Sequence, residues 1–240
     1  MRYTALAAAL TLPLLGQAPD AALFKGDTRT IMVACAEKAR SLESKDSQLL
    51  TGIGRVYLAS GDRPKAEEAF KAAIALDPKD GSTYWLIAQQ WLATGHRPEA
   101  MAACRLLLER DPKSPRTILK AAVTFLDRGM AEEALELMAH LCKVYPKPGD
   151  QDFAVEFAKA CLRNRRFDLA PTWLERGYLA DPMDWKNCAE FTRAALEVGQ
   201  SELAARYAQK TLEAAPKDWC AWNEIALAYA ESVARHPTKR

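Results

Sequence analysis

The chain has 240 residues, a formal net charge of +2 and 49% hydrophobic residues. This apolar fraction is ample for a folded core, and the nearly balanced charge gives no reason to expect a nucleic acid or an anionic membrane as a partner. Neither the three histidines nor the six cysteines have the spacing of a metal site, and no phosphate-binding loop or serine nucleophile motif is present. We therefore predict no cofactor, no metal and no catalysis.

Residues 1–18 have the pattern of a secretory signal peptide. Arg2 precedes a short apolar run that ends at Leu15, and small residues follow at the places that signal peptidase tests. The run is shorter than the about 20 residues that a membrane span needs. We therefore predict an exported, periplasmic or secreted chain with no membrane span after cleavage. A buried N-terminal helix is the alternative.

The segment 19–46 is predicted to form a capping helix at the N-terminal edge of the fold. Asp27 or Thr28 can cap it, and apolar residues such as Ile31 and Cys35 mark a single face. No complementary helix precedes it in the pattern described next, so its face is expected to cover the first unit of that pattern.

A unit of 34 residues begins at Ser47 and is present five times. Alanine stands at position 20 and proline at position 32 of every copy, and glycine stands at position 15 of all but the fourth. Positions 4, 7, 8 and 11 share one face of a first helix, A, and positions 20, 24, 27 and 28 share one face of a second helix, B. The copies are 47–80, 81–114, 115–148, 151–184 and 185–216.

Each residue type that recurs between the copies has a physical reason. Small residues at positions 8 and 20 let the two helices approach closely, glycine at position 15 can end helix A in the left-handed conformation, and proline at position 32 ends helix B. One such hairpin cannot bury its apolar face alone, so stacked copies are expected to share a continuous core.

This pattern resembles that of tetratricopeptide repeat proteins, of the kind that bacteria export. The resemblance implies an all-α fold: an α-α superhelix, or tetratricopeptide-like solenoid, of five helical hairpins with N- and C-terminal capping helices. The C-terminal cap would lie in 217–240, where Glu224 and Glu231 are expected on the solvent side. Four apolar residues of this segment occupy positions 4, 7, 8 and 11, namely Trp222, Ile225, Ala226 and Tyr229.

The cysteines are predicted to be small core residues rather than disulfide partners. Cys104, Cys142, Cys161 and Cys188 all fall at core positions of the repeat. Neighbouring helices lie about 8 to 10 Å apart, whereas a disulfide needs Cα atoms within about 7 Å. The nearest candidate pair is Cys188 with Cys220, and whether any pair forms stays open.

In tetratricopeptide repeat proteins, positions 2, 5, 9, 12 and 13 of the A helices line the concave face, which commonly receives a peptide. The candidate peptide-binding groove residues are Arg55, Leu58, Trp85, Gln89, Leu92, Arg116, Leu119, Lys120, Val123, Leu126, Val155, Lys159 and Leu162. Trp85 is the expected anchor, because Tyr84 already fills position 4 of its repeat. Position 12 is leucine in every copy, and packing between helices is the alternative explanation for these leucines.

Some tetratricopeptide repeat proteins hold a C-terminal carboxylate with a clamp of five Lys, Asn and Arg residues. Arg116 and Lys120 stand at two of the clamp positions, but Thr51, Arg55 and Leu86 stand at the other three, so the clamp is incomplete. A carboxylate bound near Arg55, Arg116 and Lys120 stays an alternative to solvated charges on the helix faces.

The resemblance implies a non-catalytic adaptor of the cell envelope that binds a peptide segment of a protein partner in the groove. Two alternatives stay open. One is a structural protein that assembles with itself as a homo-oligomer, or scaffolds a complex, through its convex face or its ends. The other is an enzyme that uses a cysteine such as Cys161 or Cys188 as the nucleophile.

Overall fold

The computed structural model describes residues 26–235, so the predicted signal peptide at 1–18 and the residues after 235 lie outside the described part of the chain. Within it, the regular structure consists of twelve α-helices and one short 3-10 helix, without strands. The helices are α1 (Thr28–Leu42), α2 (Ser47–Ser60), α3 (Arg63–Leu76), α4 (Gly81–Ala93), α5 (Arg97–Arg110), α6 (Pro115–Leu126), α7 (Ala131–Val144), α8 (Phe153–Arg163), α9 (Ala170–Ala180), α10 (Trp185–Glu197), α11 (Ser201–Ala214) and α12 (Trp219–Arg235).

Ten of these helices form the five predicted hairpins, with α2, α4, α6, α8 and α10 as A helices and α3, α5, α7, α9 and α11 as B helices. The single helices α1 and α12 precede and follow them. The predicted all-α fold of five tetratricopeptide-like hairpins is thereby confirmed. No helix between residues 26 and 235 is both long enough and apolar enough to span a membrane.

The described chain divides into two compact units, 26–73 and 74–235. In the first unit, α1 begins after Asp27, whose side chain accepts hydrogen bonds from the backbone N–H groups of Arg29 and Thr30. This is the N-cap that the sequence predicted. Helix α1 packs on α2, where the Tyr57 hydroxyl donates a hydrogen bond to Glu37 of α1 at 2.5 Å.

In the second unit, the A helices contact one another in chain order, from α4 through α6, α8 and α10 to α12. Each A helix except α12 also packs against its own B helix. The alanines at position 20, which the pattern places at the close approach of the two helices, are fully buried in all five hairpins. They are Ala66, Ala100, Ala134, Ala170 and Ala204.

The turns between the A and B helices share one backbone conformation. The position 15 glycines Gly61, Gly95, Gly129 and Gly199 have φ values of 83°, 82°, 74° and 77°. Arg165 takes the same left-handed conformation with φ of 56°, and among residues 26–235 no other non-glycine residue has a positive φ. The connection between α8 and α9 is longer than the other four, as expected where arginine replaces the glycine.

The two extra residues before the fourth hairpin are accommodated by the 3-10 helix Pro148–Asp150 and a buried amide. The Gln151 side chain donates a hydrogen bond to the Tyr145 carbonyl at 2.8 Å and accepts one from Arg176 at 3.1 Å. Because both ends of the amide are satisfied, its burial is not penalised. The insertion therefore fixes the start of α8, which carries part of the site described below.

The C-terminal helix α12 differs from the predicted polar cap. Glu224 and Glu231 are not simply solvated, because Arg193 of α10 forms ion pairs with them at 2.7 and 3.5 Å. The exposed side of α12 is instead apolar and includes Trp222 and Tyr229. The two acidic residues thus face Arg193 on α10, and the two aromatic residues have no covering helix in the described chain.

All six cysteines lie in the described part of the chain and all are free. Cys104, Cys161 and Cys188 are buried, as their repeat positions predicted, but Cys142 is only half-buried, and Cys35 is exposed. Burial raises the pKa of the Cys161 thiol to about 12 and that of the Cys188 thiol to about 11. Both side chains are therefore neutral thiols at neutral pH.

Candidate functional site

A cavity of about 690 Å³ opens between the A helices α4, α6 and α8 in the second unit. Its size falls in the range of roughly 300 to 1,000 Å³ that is usual for ligand sites. Its lining combines apolar side chains with charges of both signs. The lining residues are Trp85, Pro115, Arg116, Leu119, Lys120, Val123, Thr124, Asp152, Phe153, Glu156 and Arg163.

Trp85 forms the α4 wall of the cavity and is held in place by α6. Its indole N–H donates a hydrogen bond to the Thr124 hydroxyl at 3.5 Å, and the Lys120 ammonium lies 5.1 Å from the centre of its ring. The Thr124 hydroxyl in turn donates to the Lys120 carbonyl at 2.7 Å. These contacts fix an amphipathic ring that is only half-buried. A fixed and partly exposed tryptophan is a typical anchor for a ligand.

The α6 wall carries two cations, Arg116 and Lys120. Neither side chain forms an ion pair with any residue in the range 26–235. Both are exposed, so neither charge has lost its hydration to a partner in the chain. Their donors are therefore available to an anionic group of a ligand at little cost in broken contacts.

The α8 wall presents two carboxylates, Asp152 and Glu156, close to the start of that helix. Phe153 lies between them in sequence and is buried. Glu156 accepts a hydrogen bond from Lys159 at 3.1 Å, whereas Asp152 forms no ion pair with a described residue. The lining of the cavity thus carries two cations on α6, and two carboxylates together with Arg163 on the α8 side, among apolar side chains.

Among the described residues, ion pairs join successive A helices after the cavity but are absent at the cavity itself. In the fourth and fifth hairpins, a cation at position 9 pairs with the carboxylate at position 6 of the next A helix. Lys159 bonds Glu190 in this way, and Arg193 bonds Glu224 at 2.7 Å. At the cavity the equivalent pairs are Gln89 with Lys120 and Val123 with Glu156. Neither combination can form an ion pair, so the adjacent helices leave this surface open to a ligand.

Five of the predicted groove residues line this cavity: Trp85, Arg116, Leu119, Lys120 and Val123. Gln89 is half-buried and lies outside the lining. Arg55 and Leu58 belong to the first unit, 26–73, whereas the cavity belongs to the second.

The leucines at position 12 are buried, which corrects the expectation that they line the groove surface. Leu58, Leu92, Leu126 and Leu162 are at most 8% exposed. Helix packing, the alternative considered above, accounts for them. They can support the site from beneath but offer no surface to a ligand.

Val155 is likewise buried, whereas Lys159 is half-buried and its place in the groove stays a prediction. The Cγ2 atom of Val155 lies 3.1 Å from where a Cβ of Gly177 in α9 would stand. Burial alone would lower the pKa of Lys159, but its hydrogen bonds to Glu190 and Glu156 outweigh that effect and hold the pKa above its ordinary value. Its ammonium group is therefore charged and already engaged within the chain.

Five lining residues stand outside positions 2, 5, 9, 12 and 13: Pro115 at position 1, Phe153 at position 3, Lys120 and Glu156 at position 6, and Thr124 at position 10. Thr124 is reached because the Trp85 ring leans across α6. The lining charges Asp152, Glu156 and Arg163 could be seen in the sequence as groove charges, but nothing in it singled them out from the paired ones.

Comparisons with known proteins agree with the hairpin architecture. A family model described as tetratricopeptide repeat matches residues 51–115 and 191–233. The search of curated proteins gave no match.

Several solved structures are similar to this chain. One is YrrB, described as a TPR protein with an unusual peptide-binding site, at 12% identity over 80% of this chain and 97% of that chain, with a TM-score of 0.38. Another is PilW, described as a widely conserved type IV pilus biogenesis factor, at 19% identity over 81% and 95%, with a TM-score of 0.39. A third is pilF of Pseudomonas aeruginosa, at 16% identity over 87% and 92%, with a TM-score of 0.37.

These TM-scores are too low to support a conclusion about what this chain does. The family model carries more weight, because the segments that it matches run from α2 to the first residue of α6 and from α10 to α12. The same hairpin, with buried alanine at position 20, recurs in the unmatched helices between them. The chain therefore contains tetratricopeptide repeats, which the family model matches at residues 51–115 and 191–233.

Proposed function

We propose that this chain is a non-catalytic adaptor that binds a short segment of another protein in the cavity between α4, α6 and α8. The observation that carries this proposal is that, within the described chain, the ion pairs which join the later A helices are absent at that cavity. Trp85 is fixed there but half-exposed, and Arg116 and Lys120 are without ion-pair partners among residues 26–235. The signal-peptide pattern of residues 1–18 supports the cell envelope as its compartment.

The lining predicts the chemistry of the bound segment. An apolar side chain would lie against Trp85, Leu119 and Val123, where it loses contact with water. An acidic group on one side of it would face Arg116 and Lys120. A basic group on the other side would face Asp152. The preferred segment is therefore an apolar residue flanked by opposite charges.

The cysteines support an adaptor rather than a thiol enzyme. A nucleophilic cysteine needs its thiolate, which is favoured by a lowered pKa and an accessible position. Burial instead raises the pKa of Cys161 and of Cys188, and both side chains are enclosed in the core. Neither lines the cavity.

The proposal is tested by selecting binding segments from a random peptide library displayed on phage, followed by affinity measurements on the selected peptides. Trp85→Ala and Arg116→Glu should each weaken binding tenfold or more, which corresponds to about 1.4 kcal/mol. Circular dichroism melts of both variants establish that the fold is retained.

Two matched controls come from the fifth hairpin. Trp185→Ala removes another half-buried tryptophan, and Lys186→Glu reverses the charge at the position equivalent to Arg116. Neither residue lines the cavity, so both variants should bind the peptides as the parent chain does. Equal binding by all four variants would refute the cavity as the site.

A further inference from the structure

Helix α12 occupies the place of an A helix of a sixth hairpin. The Trp222 indole N–H donates a hydrogen bond to the carbonyl of Pro216 at 3.0 Å. The Tyr84 hydroxyl donates to the carbonyl of Pro78 at 2.8 Å in the same way. Both aromatic residues stand at position 4, and both prolines at position 32 of the preceding repeat. Helix α12 also packs on α10 and α11, as an A helix should.

Among residues 26–235, no helix covers the face of α12 that a B helix would cover. In the five hairpins, no residue at positions 4 and 11 is more than 5% exposed. The equivalent residues of α12, Trp222 and Tyr229, are 54% and 38% exposed. Together with the exposed Trp219, Ala226 and Val233, they form one stripe at helical spacing, which we call the α12 face. An exposed apolar stripe of this kind is characteristic of an interaction surface.

The hairpins show what kind of helix fits such a face. Every B helix places a fully buried alanine at position 20, followed four residues later by position 24, which is larger in the first four hairpins. The covering helix must therefore offer a small residue beside larger apolar ones.

The α12 face itself meets the requirement. Ala226 lies between Trp222 and Tyr229, four residues after the first and three before the second. When two such faces pack antiparallel, alanine faces alanine, and each Trp222 faces Tyr229 of the second copy. This self-complementary arrangement is what a two-fold interface requires, and it adds two aromatic pairs.

We infer that two copies of this chain pair through the α12 face, across a two-fold axis near Ala226. The second copy covers the α12 face as a B helix covers the A helix of each hairpin, without using the cavity between α4, α6 and α8. The dimer therefore presents two independent cavities.

The first test is the mass in solution of the full chain, measured by sedimentation over a wide range of protein concentration. The parent chain should sediment as a dimer, and the Trp222→Glu, Tyr229→Glu double variant as a monomer. Leu227→Glu is the matched control, because Leu227 is an exposed apolar residue of α12 that lies outside the α12 face. It should leave the dimer intact.

A second test does not depend on disrupting the face. In a background with Cys35 and Cys220 replaced by serine, Ala226→Cys should form a disulfide between two copies under mild oxidation, because the two-fold axis brings these residues together. Leu227→Cys in the same background should not.

Three results would overturn the inference. A monomer at all concentrations would mean that a helix of a different protein covers the α12 face. Assemblies that grow beyond a dimer would indicate contact between unlike ends. A covalent dimer of Leu227→Cys without one of Ala226→Cys would place the contact on another side of α12.

Discussion

The ring of Phe70 lies against Gly54, so a Cβ atom at Gly54 would stand 2.6 Å from Cδ1 and 2.9 Å from Cζ of that ring. Two residues earlier on the same helix, a Cβ at Gly52 would have no neighbour within 4 Å. The two glycines of α2 therefore have different roles. Gly54 makes room for a side chain of the B helix, whereas Gly52 only lowers the helix propensity of α2.

Gly54→Ala should destabilise the chain by about 1 to 2 kcal/mol, because the cost of overpacking a core exceeds the gain of about 1 kcal/mol in helix propensity. Gly52→Ala should stabilise it by about 0.5 to 1 kcal/mol, since only the propensity changes. Urea unfolding of both variants measures the difference. Equal effects at the two positions would show that Phe70 does not restrict Gly54.

Leu126→Ala should lower the free energy of unfolding by about 2 to 5 kcal/mol, because removing a fully buried side chain leaves a cavity in the core. Leu119→Ala, on the same helix but lining the cavity, should cost below about 1 kcal/mol. Chemical denaturation of the two variants tests this difference. A small loss of stability in Leu126→Ala would indicate that position 12 lies on the groove surface and not in the core.

Arg165→Gly should stabilise the chain by about 1 kcal/mol, because a left-handed backbone conformation is strained for arginine and relaxed for glycine. The reciprocal change, Gly129→Ala in the equivalent turn of the third hairpin, should destabilise it by about 1 kcal/mol. Thermal unfolding compares the two. A loss of stability in Arg165→Gly would mean that the contacts of the arginine side chain stabilise the fold by more than its left-handed backbone conformation destabilises it.

The stability of the chain should fall at alkaline pH in part through Cys104. Burial raises the pKa of this thiol from 9.0 to about 12. Between these values the unfolded chain releases the proton while the folded chain retains it, so the free energy of unfolding decreases as the pH rises. At lower pH both states keep the proton and the contribution is constant.

Cys104→Ala removes this contribution, so urea unfolding at about pH 8 and about pH 10 should show a shallower loss of stability in the variant than in the parent chain. Subtracting the two profiles cancels the lysines, tyrosines and other cysteines that both chains share. Parallel profiles would show that the buried thiol titrates normally in the folded state.

The sequence was sufficient to predict the hairpins because their determinants are local. Alanine at position 20, proline at position 32 and glycine at position 15 act within one repeat, and even Arg165 takes the conformation that its position demands. Trp85 could be recognised for the same reason, because Tyr84 already filled the core position beside it.

What the sequence could not provide was the pairing between repeats. Leu126 stands on the predicted face, but whether a neighbouring helix covers it depends on the distance between helices, which no single residue encodes. Lys159 was predicted to line the groove and Glu224 to face solvent on the C-terminal cap, yet each has its partner on another A helix, Glu190 for the first and Arg193 for the second. These relationships arise only when the hairpins stack.

The absence of interhelical ion pairs at the cavity also bears on which mutations the chain can tolerate. In the fourth and fifth hairpins, a mutation at Lys159 or Arg193 breaks an ion pair between helices. At Val123, which lines the cavity, the same position holds no such pair, so a mutation there can alter ligand preference without breaking an ion pair between helices. The central repeats can thus change what they bind while the contacts that join the later hairpins stay intact.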